Sequence, residues 1–491
     1  MKPIVTFLFL LVYSATFAQY NIKTDSVYIT GTVSNFEKYK ETANSVRFIV
    51  NDIVLGNQTN HRAKINNDGT YKIAIYKIGT EDIYIEYNDD LETIIVSPGD
   101  RIQVNFDAGD LEKSLTFKGD DARINADLKA FEAAFDKENT RLYGAEGNSR
   151  FKVQQASEKD NGPEAHKKML TARLIKDEAF LKAYAKQHKL SPAFTRWEAN
   201  TLKCEYYSNL FRYTWLHPMY NKTKQEDFKI PDSYFSFIKD VPLKDPALSE
   251  SSNYNYFLGD YRRHIRQKAF GNSAKVDSML IRFAKEPAFA ADIMISNELF
   301  QMIDAKYVKE AGEYIELYKK LTKYKAIRDY LVQYYTEALN KLNSYKLPAN
   351  AQINTTPQTE ADSVFNKLVS RYANKVVYVD IWATWCGPCR AEMPNSAALR
   401  EKYKGKDVVF LYLGVQSEEK TWKALIAELD IQGEHFLLNK NEFAAVSEKF
   451  QVNGIPHYML VNKKGQVFDG NAKRPGDEKL APEIDQLLEE K

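Results

Sequence analysis

VVYVDIWATWCGPCRAEMP, residues 376–394, sets an apolar run directly against two of the three cysteines in this chain of 491 residues. The run reads as a strand buried on both sheet faces, and the positions after Cys386 read as a helix, so the pair stands at a strand-to-helix junction. Free backbone N–H groups and the dipole at a helix N-terminus favour an anion. The thiolate is the reactive form of cysteine, and such a setting brings its pKa from about 8.5 to near 7 or lower. Cys386 is therefore the candidate nucleophile. Cys389, one turn later and facing inward, is the candidate resolving thiol that completes exchange through a mixed disulfide. Two other readings fit poorly. A disulfide closing two residues removes little loop entropy, so the pair is a weak staple. Structural zinc normally takes four ligands, and the later histidines, His435 and His457, stand singly and 22 residues apart.

Asp380 lies inside the apolar run. An ionised carboxylate buried there costs several kcal/mol unless compensated. Burial raises its pKa toward neutrality, which suits it to exchange a proton with Cys389 through water. An aspartate held by a structural hydrogen bond is the alternative.

Outward from this stretch, residues 364–491 alternate between strand and helix patterns: VVYVDIW, the helix from Cys386, DVVFLYLGV, EEKTWKALIAELD, EHFLLN, NEFAAVSEKF, HYMLV and QVFDG, then a last helix from Glu478. That order predicts a mainly parallel sheet with both faces covered. Residues 346–363, KLPANAQINTTPQTEADS, have two prolines and no apolar period and read as a linker. Residues 120–345 carry helical periodicity with charged faces. Ser191-Pro192 reads there as an N-cap and first-turn proline opening a helix over 192–215, which carries Cys204 as a small buried hydrophobe. Residues 19–119 break into short alternating segments separated by turn signals such as Asp68-Gly69 and Ser97-Pro98-Gly99-Asp100, the pattern of an antiparallel β-sandwich.

The first 18 residues have one Lys, an apolar run from Ile4 to Val12 and small residues up to Ala18. This is the pattern of a cleavable secretory signal, with an uncleaved anchor as the alternative. Export explains the sparing use of sulfur poorly if disulfides are for stability, since exported proteins stapled by them carry several pairs. With 44% hydrophobic and 27% charged residues and a net charge of +2, nothing marks a nucleic-acid surface. A chain this long holds two to four domains.

On VVYVDIWATWCGPCRAEMP, VNGIPHYMLVNKKG and the strand order, residues 355–491 resemble the thioredoxin superfamily, specifically the exported TlpA-like and ResA-like thiol:disulfide oxidoreductases. The resemblance implies a cis peptide before a proline facing the cysteines, and Ile455-Pro456 matches it. Ile455 would then offer backbone groups to an extended substrate segment. Thioredoxins carry Asp at the position of Asp380, and Pro394 matches a helix kink of the family. Trp385, Gly387, Pro388, Ile455 and Pro456 are the candidate substrate-binding positions. Trp382 packs nearby, and His457 either touches substrate or covers the sheet edge. The 70 residues from Cys386 to Pro456 leave room for one more strand and helix than a minimal thioredoxin, and EEKTWKALIAELDIQGEHFLLN supplies them. Cys-Gly-Pro-Cys disfavours a peroxiredoxin, which would carry one peroxidatic cysteine in a Pro-and-Thr motif.

The implied activity is periplasmic thiol:disulfide exchange with no cofactor beyond the Cys386–Cys389 couple and no metal. The substrates would be exported proteins or peptides, and the electrons would come from a membrane thiol donor. Gly387-Pro388 matches thioredoxin, whose potential is near −270 mV against about −120 mV for a strong periplasmic oxidant, a gap of roughly 7 kcal/mol. The reading therefore leans to a reductase. An oxidase or isomerase, or a peptide-binding scaffold using an inactive thioredoxin-like module, are the alternatives. Residues 19–345 resemble the N-terminal regions of exported thioredoxin-like proteins of Bacteroidetes-type bacteria, with substrate selection, dimerisation and membrane docking all open to them.

Overall fold

A computed structural model describes residues 22–144, 149–270 and 275–490. The signal expected over residues 1–18 lies outside them. The chain divides into two compact units, one running up to Met294 and including Thr322–Ile327, the other formed by Ile295–Leu321 and everything from Arg328 onward.

The first unit opens with eight strands: β1 (Thr24–Ser34), β2 (Ser45–Asp52), β3 (Asn57–Lys64), β4 (Thr70–Ile78), β5 (Glu81–Tyr87), β6 (Asp90–Val96), β7 (Arg101–Asp107) and β8 (Thr116–Gly119). They form two four-stranded sheets, ordered β4-β1-β7-β8 and β3-β2-β5-β6. Alternation decides which side is buried: Val27, Ile29 and Val33 of β1 point inward while their neighbours face out. Rings meet across the two sheets, Phe48 against Tyr71 at 6.3 Å and Tyr87 against Phe106 at 5.2 Å between centroids. The sandwich is as expected except in one pairing. β1 and β7 run parallel, because the chain leaves β1, builds strands of the opposite sheet and returns beside it, a crossover that turn signals between neighbouring segments do not report.

Helices follow, among them Ala122–Tyr143, Pro163–His188 and Pro192–Tyr220. Ser191 caps the last of these, its hydroxyl accepting from the Phe194 amide at 3.3 Å, with Pro192 in the first turn. That helix continues past residue 215, with Pro218 inside its final turn. Cys204 is buried there, and burial pushes its thiol far above the ordinary range, which leaves it inert. No helix among the described residues is long and apolar enough to cross a membrane.

The second unit is built on a six-stranded sheet of β9 (Ala351–Asn354), β10 (Val376–Trp382), β11 (Val408–Gly414), β12 (Gly433–Leu437), β13 (His457–Val461) and β14 (Val467–Asp469), ordered β14-β13-β10-β11-β12-β9. β10, β11, β12 and β9 are parallel, whereas β13 runs antiparallel to β10 and to β14. All seven residues of β10 are buried, as a central strand covered on both faces must be. The expected extra unit is present as the helix Glu419–Glu428 followed by β12.

Two boundaries read from the sequence need correction. The segment 346–363 is more than a linker, since its residues Ala351–Asn354 pair with β12 and complete the sheet. The helical residues Ile295–Leu321 and Arg328 onward belong to the compact unit that carries this sheet. Long-range ion pairs explain why: Lys306 meets Glu428 at 2.9 Å and Lys309 meets Glu418 at 2.7 Å.

Gly31 in β1 allows the sandwich to close. A Cβ there would lie 1.9 Å from the Val104 carbonyl oxygen and 2.6 Å from the Tyr71 ring, whose hydroxyl donates to that same oxygen at 2.7 Å. Gly31→Ala is therefore expected to destabilise the first unit by about 1–3 kcal/mol. Scanning calorimetry should show one lowered transition, and an unchanged profile would refute the contact.

Candidate active site

β10 ends at Trp382 and the chain turns through Ala383–Trp385 into the helix Gly387–Lys402. The turn is held from the loop after β11. The Thr384 amide donates to the Ser417 hydroxyl at 3.0 Å, and that hydroxyl donates to the Val415 carbonyl at 2.8 Å. The indole N–H of Trp385 donates to the Gln416 carbonyl at 3.1 Å. Ser417 and Gln416 were not among the residues singled out from the sequence; a short polar stretch after a strand is all the signal they offer.

Cys386 is the N-cap of that helix, and its sulfur accepts the amide of Cys389 at 3.2 Å. A sulfur thus occupies the place where a Ser or Asp oxygen usually satisfies an orphan amide. The same amide and the helix dipole would stabilise a thiolate at Cys386 once the pair is reduced. In this structure the two cysteines form a disulfide, with Cα atoms 5.3 Å apart. Cys386 is 4% exposed and Cys389 1%, whereas Gly387 and Pro388 between them are exposed. The exposed surface beside the disulfide is therefore that of Gly387 and Pro388.

The Ile455–Pro456 peptide is cis. β13 starts directly after it, and the Ile381–His457 pairing brings this bond alongside the end of β10, where the cysteine turn begins. His457 is buried, and its Nε2 bonds the Gly470 carbonyl oxygen at 2.7 Å, so it serves the strand end. His435 is also buried, bonding the Ile431 carbonyl oxygen at 2.9 Å and stacking on Tyr412. Among the described residues no group of three or more His, Cys, Asp or Glu could hold a metal ion.

Asp380 pairs in register with Tyr412 on one side and Tyr458 on the other, so the three side chains share one face of the sheet. Neither of its carboxylate oxygens, and not the Tyr458 hydroxyl either, has a hydrogen-bond partner among the described residues. The structural hydrogen bond held as an alternative for Asp380 is therefore missing. Burial pushes its carboxyl up to about 8, the negative charge of Glu392 adds to the effect, and Arg400 opposes it. Both of those residues come from the cysteine helix. Arg400 is committed to the Tyr412 hydroxyl at 2.6 Å and Glu392 lies 3.7 Å from Arg474.

Arg390, next to Cys389, reaches the end of a helix remote in sequence. Its guanidinium donates to the carbonyl and the carboxylate of Asp304, both at 3.0 Å. Nothing in the sequence pairs residues 86 positions apart, and this contact too was not foreseen.

Residues 374–467 match the profile of a family described as thioredoxin-like. These residues therefore form a thioredoxin-like domain. This thioredoxin-like domain is similar to the thiol-disulfide oxidoreductase ResA of Bacillus cereus, 30% identical over 95 residues that span 19% of this chain and 53% of that protein. It is also similar to a thioredoxin of Coprinus comatus, 42% identical over 53 residues, 11% of this chain and 48% of that one. The chain thus spans about half the length of these curated relatives. Among solved structures it resembles the thioredoxin domain of a thiol-disulfide oxidoreductase from Bacteroides vulgatus, with 25% identity, a TM-score of 0.23, and coverage of 24% of this chain and 83% of that one.

The buried carboxyl of the thioredoxin-like domain predicts a pH dependence. Unfolded, Asp380 ionises near pH 4; folded, it keeps its proton up to about 8. Between those values the folded state binds more protons than the unfolded state, so stability falls as pH rises through the window. Asp380→Asn removes the penalty. The variant should match the parent at pH 4 and exceed it by several kcal/mol above pH 8. Denaturant unfolding at a series of pH values checks this, and a stability difference that does not widen with pH would contradict it.

Proposed function

We propose that this protein is an exported thiol:disulfide oxidoreductase that reduces disulfides of other exported proteins, acting outside the cytoplasm. The observation that carries the reading is the Cys386–Cys389 disulfide, set at a helix N-cap directly after the strand that holds an unpartnered buried carboxyl. The apolar run Ile4–Val12 with small residues up to Ala18 supports export.

The reaction starts from the reduced pair. The Cys386 thiolate attacks one sulfur of a substrate disulfide, forming a mixed disulfide and releasing the other substrate sulfur as a thiolate. Cys389 passes its proton through water to Asp380 in its ionised form, whose share grows as pH rises toward about 8, and attacks the Cys386 sulfur. That step expels the second substrate thiolate and leaves the Cys386–Cys389 disulfide. Two electrons pass to the substrate, whose thiolates take up protons, and a thiol donor at the membrane restores the dithiol. Ile455, ahead of the cis bond, presents backbone groups to the substrate segment, while Trp385, Gly387, Pro388 and Pro456 form the surface around the sulfur.

Cys386→Ser should abolish reduction of insulin disulfides by the full chain, and retained turnover would sink the assignment. Cys389→Ser should still make the first attack and accumulate a mixed disulfide with substrate, visible by mass spectrometry. The equilibrium potential of the couple tests direction. A value near −270 mV is expected, and one near about −120 mV would turn the reading to an oxidase.

A further inference from the structure

The first unit contains a cavity of about 710 Å³ whose wall combines carboxylates with flat rings. Glu92, Glu132, Asp136 and Glu198 supply charge, and Phe131 and Trp197 supply apolar surface. Each cation on the wall has a partner of its own. Arg150 makes two bonds to Asp177, at 3.0 and 2.6 Å; Lys129 donates to the Leu115 carbonyl at 3.0 Å; Lys113 lies 3.4 Å from Asp110. Asp82 is satisfied as well, accepting from the Ser252 amide at 2.7 Å, from its hydroxyl at 2.5 Å and from the Trp197 indole at 3.3 Å.

Glu198 differs from all of these. It is only 7% exposed, it lines the cavity, and it has neither a hydrogen bond nor an ion pair among the described residues. Glu132 shares the wall and is equally unpartnered. Burial comes first in pushing both carboxyls up to about 8; for Glu132 the charges of Glu92, Asp136 and Asp82 add to it and that of Lys129 opposes it, and for Glu198 those of Glu132, Glu205, Asp177 and Asp82 add. A buried carboxylate without a partner, as at Glu198, opposes folding, and a cation seated between it and the half-buried Glu132 would reverse that. The carboxylates are not grouped to hold a metal ion, and the space far exceeds what a bare ion fills. Aromatic walls attract an organic cation through the ring quadrupole.

We propose that this cavity binds a basic organic group, an ammonium or a guanidinium, between Glu132 and Glu198 with the rings of Phe131 and Trp197 lining the site. The group could reach the cavity as a free amine or as a Lys or Arg side chain of a polypeptide. The proposal is independent of the redox reading, since none of its residues belongs to the cysteine site.

Titration calorimetry of the full chain at pH 7.5 with 1,5-diaminopentane, argininamide and the capped peptide acetyl-Gly-Arg-Gly-amide tests it. At least one probe should bind with a Kd below about 1 mM, releasing protons to the buffer as the carboxyls ionise. Glu198→Gln and Glu132→Gln should each weaken that binding at least about tenfold, or 1.4 kcal/mol, while insulin reduction stays unchanged. Binding of the free amines alone identifies a small metabolite as the guest, and binding of the peptide identifies a polypeptide side chain; either supports the site. Neither Gln variant carries the uncompensated charge, so both should fold, and the probe should raise the melting temperature of the parent and not theirs. No binding of any probe at about 10 mM, or equal affinity in the parent and both variants, would overturn the proposal.

Discussion

The hydrogen bond from the Cys389 amide to the Cys386 sulfur ties the chemistry of the thioredoxin-like domain to its architecture. It exists only because a helix begins at Gly387, and the helix begins there because β10 ends at Trp382 and the turn between them is anchored on Ser417 and Gln416. β10 in turn is fixed by its neighbours, with β11 parallel on one side and β13 antiparallel on the other. The pairing with β13 delivers the Ile455–Pro456 bond to the cysteine end, and the pairings with both strands seal Asp380 between two tyrosines. Moving β10 by one residue would exchange its faces and turn the carboxyl away from the cysteine helix.

Much of this was legible in advance because it is local. An apolar run, a Cys-x-x-Cys pair and a proline before a strand each carry their meaning within a few residues, and Asp380 announces itself as a charge where charge is costly. What escaped notice depends on partners distant in the chain. Ala351–Asn354 is four residues long, with no run of apolar positions and prolines at 348 and 357, so its pairing with β12 leaves no mark on its own composition. The parallel β1–β7 pair escaped for the same reason, since turn signals describe only strands that follow one another. The bond between Arg390 and Asp304 and the grouping of Glu132 with Glu198 arise from helices whose charged faces read, taken singly, as solvated surface.

The two units meet the same electrostatic problem in different ways. Asp380 is buried between a sheet and a helix, and the cost of its ionisation is relieved by taking up a proton. Glu198 faces a volume, so a guest can relieve it. Burial raises the proton affinity of both, and the room around each decides whether a proton or a larger cation is the natural companion.

β9 bears on where the folding unit begins. The span that matches the thioredoxin-like family starts at residue 374, yet the outermost strand of the sheet lies upstream of it, at Ala351–Asn354. A fragment cut at residue 374 would leave the row of N–H and C=O groups on β12 uncovered, a template for association with other chains. A fragment that keeps β12 covered must therefore begin upstream of the span that matches the thioredoxin-like family.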